Sequence, residues 1–190
     1  MKNLLIPFMV IIGTVMVEGQ GESIIAGTNS VKFFGVDFSE VKVFGAKETP
    51  AEFLQAFEDI NNLIFEQPDR YNFEKLFNRK VSEVSVKAVN FVIDYIDREE
   101  LKTEDSSYVL DDKTIVEIIK FLPVDKEDGI GAVMIAEIFN RTEWSASYIV
   151  VYFSLDNKDI LGSFRVVGKA SGFGLRNFWA STISNIIRRR

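Results

Sequence analysis

The last third of the chain, residues 129–190, reads GIGAVMIAEIFNRTEWSASYIVVYFSLDNKDILGSFRVVGKASGFGLRNFWASTISNIIRRR. This stretch predicts three consecutive strands followed by one helix. The first two strands, 130–139 and 148–155, are apolar at nearly every position, which is typical of strands covered on both faces. The third strand, 160–170, alternates apolar and polar residues. We therefore expect it nearer an edge of the sheet, with its polar side in water.

After Phe173 the apolar residues recur with the period of a helix that has one buried face. That face comprises Leu175, Phe178, Trp179, Thr182, Ile183, Ile186 and Ile187. The opposite, polar face carries Arg176, Asn177, Ser181, Ser184 and Asn185. Because such a helix has to bury its apolar face against another element, we expect it to pack on the three strands.

Two further helices are predicted upstream. The first spans about 49–67, where Thr49 and Glu52 form a capping box and Pro50 occupies the first helical position. Its apolar face contains Phe53, Phe57, Ile60 and Ile64. The second helix follows a cap at Asp111 or Asp112 and stops at Pro123. Its apolar face contains Ile115, Ile118, Ile119 and Leu122.

The remaining segments are less regular. Short aromatic and β-branched runs at 31–34 and 41–44 predict two strands joined by a turn, or one bulged edge strand. Residues 71–77 fit either a strand or a helical turn. Residues 81–96 mix both periodicities, and we favour a helix from residue 84. Acidic and polar residues dominate 97–112, which predicts a solvated connection.

These elements predict an α/β fold of the α+β type. We expect a layered sandwich in which a mixed sheet ends in a three-strand antiparallel meander and the helices pack on the sheet. Each helix has one apolar face, and two strands need cover on both faces. The chain has 190 residues, of which 47% are hydrophobic, so we assign residues 31–190 to a single domain.

Residues 1–19 are interpreted as a signal peptide. Lys2 provides a basic start, an apolar run covers residues 4–17, and small residues surround a cleavage point near Gly19. The run is shorter than the approximately 20 residues that span a bilayer; the alternatives are an uncleaved anchor or a buried core segment. Residues 20–30 are predicted to be a flexible leader. We expect an exported protein, periplasmic or secreted, without an integral membrane segment after signal removal.

Composition excludes several kinds of chemistry. The chain contains no His and no Cys, so Ser-His-Asp and Cys-His catalysis, imidazole or thiolate metal ligands and disulfides are excluded. The net charge of −6 does not favour a nucleic acid partner. No catalytic motif is present, and the acidic turn at 125–128 departs from the calcium-loop pattern. We predict no metal and no cofactor, and we favour a protein that is not an enzyme.

One loop is a candidate ligand site. Between the third strand and the last helix, Lys169, Gly172, Gly174 and Arg176 place glycines, cations and a helix start together, which suits an anion. The alternative is that the glycines serve positive φ angles and close packing of helix on sheet. The chain ends with three arginines, 188–190. They either oppose the helix dipole or contact an acidic partner or a lipid headgroup.

Three segments carry a resemblance to known proteins. They are VDFSEVKVFGAKET (36–49), DGIG (128–131) and GKASGFGLRNFWA (168–180). The chain resembles a family of exported, uncharacterised proteins of Bacteroides-type bacteria over most of its mature length. In element order it is also similar to the periplasmic α/β domains of the curli secretion lipoprotein and to the amino-terminal domain of TolB. It lacks the lipidation cysteine of the secretion lipoprotein.

The sequence thus favours a non-enzymatic binding or assembly module of the cell envelope with a protein partner. A second hypothesis is a small-molecule binding protein with an apolar pocket between sheet and helices. An enzyme that relies on Asp, Glu, Lys, Tyr or Ser is the third. The sequence leaves open which ligand or partner is bound and whether the chain forms homo-oligomers.

Overall fold

A computed structural model describes residues 27–189, and this part of the chain forms one mixed sheet of seven strands with helices on both faces. The strands are β1 (Ser30–Asp37), β2 (Lys42–Phe44), β3 (Lys80–Val84), β4 (Lys102–Thr103), β5 (Ile130–Asn140), β6 (Ser145–Ser154) and β7 (Ile160–Lys169). The helices are α1 (Pro50–Glu66), α2 (Phe73–Phe77), α3 (Lys87–Ile93), α4 (Asp112–Phe121) and α5 (Leu175–Arg188). The predicted signal peptide, 1–19, and most of the predicted leader lie outside the described residues.

The sheet is built around β5. On one side β5 pairs antiparallel with β6, and β6 pairs antiparallel with the edge strand β7. On the other side β5 pairs in parallel with β1 and, further along, with β2. β3 and β4 pair in parallel with β1 and β2 and form the second edge. The predicted mixed sheet is therefore present, but antiparallel pairing accounts for only part of it.

Of the two alternatives predicted for 31–34 and 41–44, two strands joined by a turn or one bulged edge strand, the structure is nearer the second. β1 and β2 follow one another along the same side of β5, so they are parts of one interrupted strand and not a hairpin. Since β3 and β4 cover them, they are not edge strands either. Asn61 of α1 binds the backbone of β1 at the register shift between Phe33 and Val36: its Oδ1 accepts from Val36 N at 2.8 Å and its Nδ2 donates to Val36 O at 2.9 Å.

The two upstream helices agree with the prediction. At the start of α1, Thr49 Oγ1 accepts from Glu52 N at 3.3 Å, and Glu52 Oε2 accepts from Thr49 N at 2.7 Å, which completes the capping box. Asp111 caps α4 by accepting from Thr114 N at 2.7 Å. The predicted apolar faces of both helices are buried.

The structure settles the less regular segments. Residues 71–77 contain the short helix α2. The helix favoured from residue 84 is present as α3 but begins only at Lys87, because residues 81–84 belong to β3. The prediction of a solvated connection at 97–112 was wrong in part, because this segment includes β4 and buries Leu101 and Leu110. The charged residues around these two leucines made the segment look solvated in the sequence. In the fold Leu101 belongs to the larger apolar cluster and Leu110 to the smaller one.

α5 packs on the sheet as expected. The predicted apolar residues from Phe178 onward are buried, and the Trp179 ring stacks on Phe139 of β5 with 4.5 Å between centroids. The polar face differs from the prediction, because Ser181 and Ser184 are buried as well. Their hydroxyls donate to α5 carbonyl oxygens three residues earlier, at 2.7 and 3.0 Å. Burial of these serines therefore leaves no unpaired hydroxyl donor.

Helices cover both faces of the sheet. α1, α2 and α5 pack with one face in the larger apolar cluster, and α4 packs on the opposite face in the smaller one. α3 contributes Val89 to the smaller cluster and Ile93 to the larger one. β7 has exposed residues on one side, as predicted for a strand near an edge. Across residues 27–189, none of the helices has both the length and the apolar character needed to cross a membrane.

Candidate functional site

A cleft of about 720 Å³ opens where β1 ends, between α3 and α4. We call it the aromatic cleft and define it by Phe91, Tyr95 and Phe121 together with Asp37, Glu40 and Glu117. The interruption between β1 and β2 supplies the acidic residues on the sheet side, and the two helices supply the opposing walls. The cleft therefore depends on three separate parts of the chain.

Three aromatic side chains of the cleft are largely exposed. The exposed fractions are 56% for Phe91, 73% for Tyr95 and 81% for Phe121. The rings of Phe91 and Tyr95 contact each other, with 5.3 Å between centroids. Single exposed apolar residues are common on soluble proteins, but three around one concave site are typical of a binding surface.

The polar residues of the cleft are mainly carboxylates. Asp37, Glu40, Asp97, Glu100 and Glu117 all line it. Among the described lining residues Lys42 alone is basic. Its Nζ lies 3.5 Å from Glu100 Oε2 and donates to Glu100 O at 2.7 Å. Because this cation already has a partner, the cleft presents an excess of negative charge to an occupant.

Asp37 is the most buried of these acids. Its side chain is at the carboxyl end of β1 and the residue is 1% exposed. Burial raises the pKa of the Asp37 carboxyl above its usual value, and the charge of Glu40 adds to the rise. Hydrogen bonds to Oδ1 from Ser39 Oγ, at 2.5 Å, and Ser39 N, at 2.8 Å, oppose it. The cleft therefore holds one carboxyl group that is protonated more readily than an ordinary aspartate.

The connection that leads to α4 is anchored beside the sheet by a buried carboxylate. Glu137 of β5 is 2% exposed and accepts from Leu110 N at 2.9 Å, from Ser147 Oγ at 2.7 Å and from Arg165 Nε at 3.1 Å. Arg165 Nη2 also donates to Leu110 O at 2.8 Å. These bonds fix the residue just before the Asp111 cap, and so they position α4 and its wall of the cleft.

The loop predicted from the sequence lies elsewhere. Gly172 and Arg176 line a second pocket, described below. Lys169 is outside that pocket: its Nζ donates to Glu143 O at 3.3 Å. Gly174 caps α5 with φ +77° and open space around it. The structure therefore brings two of the four predicted residues together.

Both parts of the structural alternative, positive φ angles and close packing of helix on sheet, are present, but at different glycines. Gly172 and Gly174 have positive φ, at +95° and +77°, and a Cβ atom at either position would meet nothing within 4 Å. Gly168 has ordinary φ and instead lies directly against the backbone of α5 at Thr182. Close packing of helix on sheet thus depends on Gly168, and the loop conformation depends on the other two.

The aromatic cleft was missed by the sequence analysis. Phe91 and Phe121 fall outside the buried helical faces that the periodicity defined, and Tyr95 follows the end of α3. The sequence signal that could have indicated the cleft is that these aromatic residues stand next to regular apolar faces without belonging to them. Only the fold shows that these aromatics surround the acidic end of β1.

Comparisons of the chain with protein-family models, with curated proteins and with solved structures found no match. The interpretation of the cleft therefore rests on its own geometry and charge.

Proposed function

We propose that the protein is a non-enzymatic binding module of the bacterial envelope, which holds a cationic, apolar segment of a protein partner in the aromatic cleft. One observation carries the proposal: Phe91, Tyr95 and Phe121 are exposed around a cleft whose charged residues are mostly acidic. Aromatic faces attract cations, and carboxylates add Coulomb attraction. Apolar parts of the same segment would cover the exposed rings.

The envelope location is supported by the amino terminus and by the family resemblance. Residues 1–19 have the basic start, apolar run and small-residue cleavage context of a signal peptide. The resemblance to exported proteins of Bacteroides-type bacteria, at 36–49, 128–131 and 168–180, favours the same compartment. Since the chain has no His and no Cys, a non-enzymatic role is the simpler proposal.

A small-molecule ligand is the alternative. The cleft volume of about 720 Å³ falls within the approximately 300–1,000 Å³ of small-molecule sites. The same charges and rings would then select an organic cation that carries an apolar group. This alternative differs from a protein partner in the size of the ligand that fills the site.

The test is calorimetric titration of the protein with three probes. The first is a blocked hexapeptide of alternating lysine and leucine, the second is its glutamate and leucine counterpart, and the third is benzyltrimethylammonium. We expect the lysine peptide to bind and the glutamate peptide not to bind. Phe91→Ala should weaken binding about tenfold, because a ring that contacts both a cation and apolar groups contributes about 1–2 kcal/mol.

Phe65→Ala is the matched control. Phe65 is exposed to the same extent as Phe91, at 56%, and does not line the cleft. It should change the dissociation constant less than twofold. An equal loss in both variants, or no difference between the two peptides, contradicts the proposal. Binding of benzyltrimethylammonium as tight as that of the lysine peptide would favour the small-molecule alternative.

A further inference from the structure

A second pocket, of about 800 Å³, lies within the helical layer formed by α1, α2 and α5. We call it the cationic pocket and define it by Arg70, Lys75, Arg176 and Arg188, with Asp69 as its carboxylate. It shares no lining residue with the aromatic cleft. Four cations and one acid therefore face one pocket in a chain whose net charge is −6.

The four cations have no carboxylate within 4 Å in the described part of the chain. Arg176 donates only to the neutral side chain of Asn177, through Nε at 3.1 Å and Nη2 at 3.0 Å. Arg188 Nε donates to the backbone oxygen of Ser184 at 3.2 Å. Like charges that line one pocket without counter-charges repel one another, and a bound anion would relieve this repulsion.

Tyr71 gives a second indication that the arginines converge. The residue is 2% exposed, and its hydroxyl has no hydrogen-bond partner among residues 27–189. Burial raises the pKa of Tyr71, while the charges of Arg70 and Arg176 both lower it. The guanidinium carbon of Arg70 lies 5.3 Å from the centroid of the Tyr71 ring, which places this arginine directly beside the buried tyrosine.

The side chain beside these cations indicates where the anion comes from. Phe173 also lines the pocket and is 94% exposed. A bare phenyl ring next to several arginines is typical of surfaces that lie on a membrane, where cations meet phosphates and the ring enters the headgroup region. Arginine suits phosphate because its planar fork donates two parallel hydrogen bonds. A soluble phosphate ester would use the arginines but not the ring.

We propose that the cationic pocket binds the phosphate group of an anionic phospholipid, with Phe173 inserted between the headgroups. Arg70 and Arg176 contact the phosphate, and Lys75 adds positive charge beside it. Arg188, twelve residues further along α5 and so about 18 Å from Arg176, lies at the other end of the pocket. This function is separate from the partner site in the aromatic cleft, so either proposal can fail without the other.

The test is co-sedimentation of the full-length chain with vesicles of phosphatidylcholine, alone or with phosphatidylglycerol. The measured quantity is the excess binding to the anionic vesicles, compared between the wild type and variants that all share the same amino terminus. We expect the double variant Arg70→Gln/Arg176→Gln to lose at least tenfold in this excess binding. The control Arg98→Gln/Lys120→Gln removes two exposed charges outside the pocket and should lose less than twofold.

Phe173→Ala separates a lipid from a soluble phosphate. Because the ring is 94% exposed, its removal should not affect folding. We expect several-fold weaker vesicle binding with unchanged thermal stabilisation by glycerol 3-phosphate. An effect of glycerol 3-phosphate without any preference for anionic vesicles would overturn the lipid assignment. Equal losses in the pocket variant and the control would overturn the site itself. So would a wild type that neither prefers anionic vesicles nor is stabilised by glycerol 3-phosphate.

Discussion

Replacement of Gly168 by alanine should destabilise the protein by about 3 kcal/mol. A Cβ atom on Gly168 would lie 2.2 Å from the carbonyl oxygen of Thr182 and 2.7 Å from its carbonyl carbon. Both are backbone atoms of α5, so no side-chain rotation relieves the overlap. Gly168 does not have positive φ, and alanine therefore fits the backbone of β7 without strain.

The magnitude follows from the distance that α5 has to move. Ordinary contacts begin at 3.4 Å, so the helix has to retreat by roughly 1 Å, a gap that forfeits up to half of the dispersion energy of each contact. The face that retreats includes Trp179, Ile183 and Ile186, which are at most 3% exposed. Overpacking a core lowers the free energy of unfolding by about 1–3 kcal/mol. Because the overlap here is with backbone atoms, which cannot rotate away, we place Gly168→Ala at the upper end of this range.

Urea unfolding followed by tryptophan fluorescence measures the effect. With a slope of about 2 kcal/mol per M, the midpoint should fall by roughly 1.5 M. Gly172→Ala is the comparison, because its Cβ meets nothing within 4 Å and its φ of +95° alone costs about 1–2 kcal/mol. If Gly168→Ala is no more destabilising than Gly172→Ala, the close approach of β7 and α5 is refuted.

Two further predictions concern buried carboxyl groups. The pKa of Asp37 is higher in the folded protein than in the unfolded chain, so the folded protein binds this proton more tightly. Stability therefore falls as the pH rises from the unfolded pKa to the folded pKa of this group. Asp37→Asn should therefore be more stable than the wild type at pH 7, with a difference that shrinks as the pH falls towards about 4; thermal melts of the two proteins across pH measure it, and a difference that does not change with pH would contradict the prediction. Glu137→Leu should cost about 2 kcal/mol in urea unfolding, because Leu110 N loses its acceptor. Glu137→Gln keeps that acceptor and should cost less than half as much; equal costs would show that charge, not the backbone hydrogen bond, is the main contribution.

Much of the fold follows from local patterns. The capping box at Thr49 and the cap at Asp111 act over three residues, and the helical faces follow a period of 3.6, so α1, α4 and α5 were predictable. The uniformly apolar β5 likewise indicated a central strand. These features depend on neighbours in sequence, and the sequence displays them directly.

The candidate sites were much less predictable. The aromatic cleft joins residues near 37, 91 and 121, and the cationic pocket joins residues near 70 and 176. Exposed aromatics and arginines carry no periodic signal, because their positions are not constrained by the core. Of the predicted anion loop only Gly172 and Arg176 line the cationic pocket. Its other cations, Arg70, Lys75 and Arg188, come from the connection after α1, from α2 and from the end of α5, and no local pattern places them beside the loop.

Local sequence was thus enough to establish an acidic, His-free and Cys-free chain with capped helices and a closing helix packed on strands. The parallel half of the sheet, the interruption between β1 and β2, and both pockets were decided by tertiary structure. Parallel pairing requires crossover connections that bring distant segments side by side, and no short-range pattern specifies which segments meet. For this reason the elements could be predicted from the sequence, while the surfaces they create together could not.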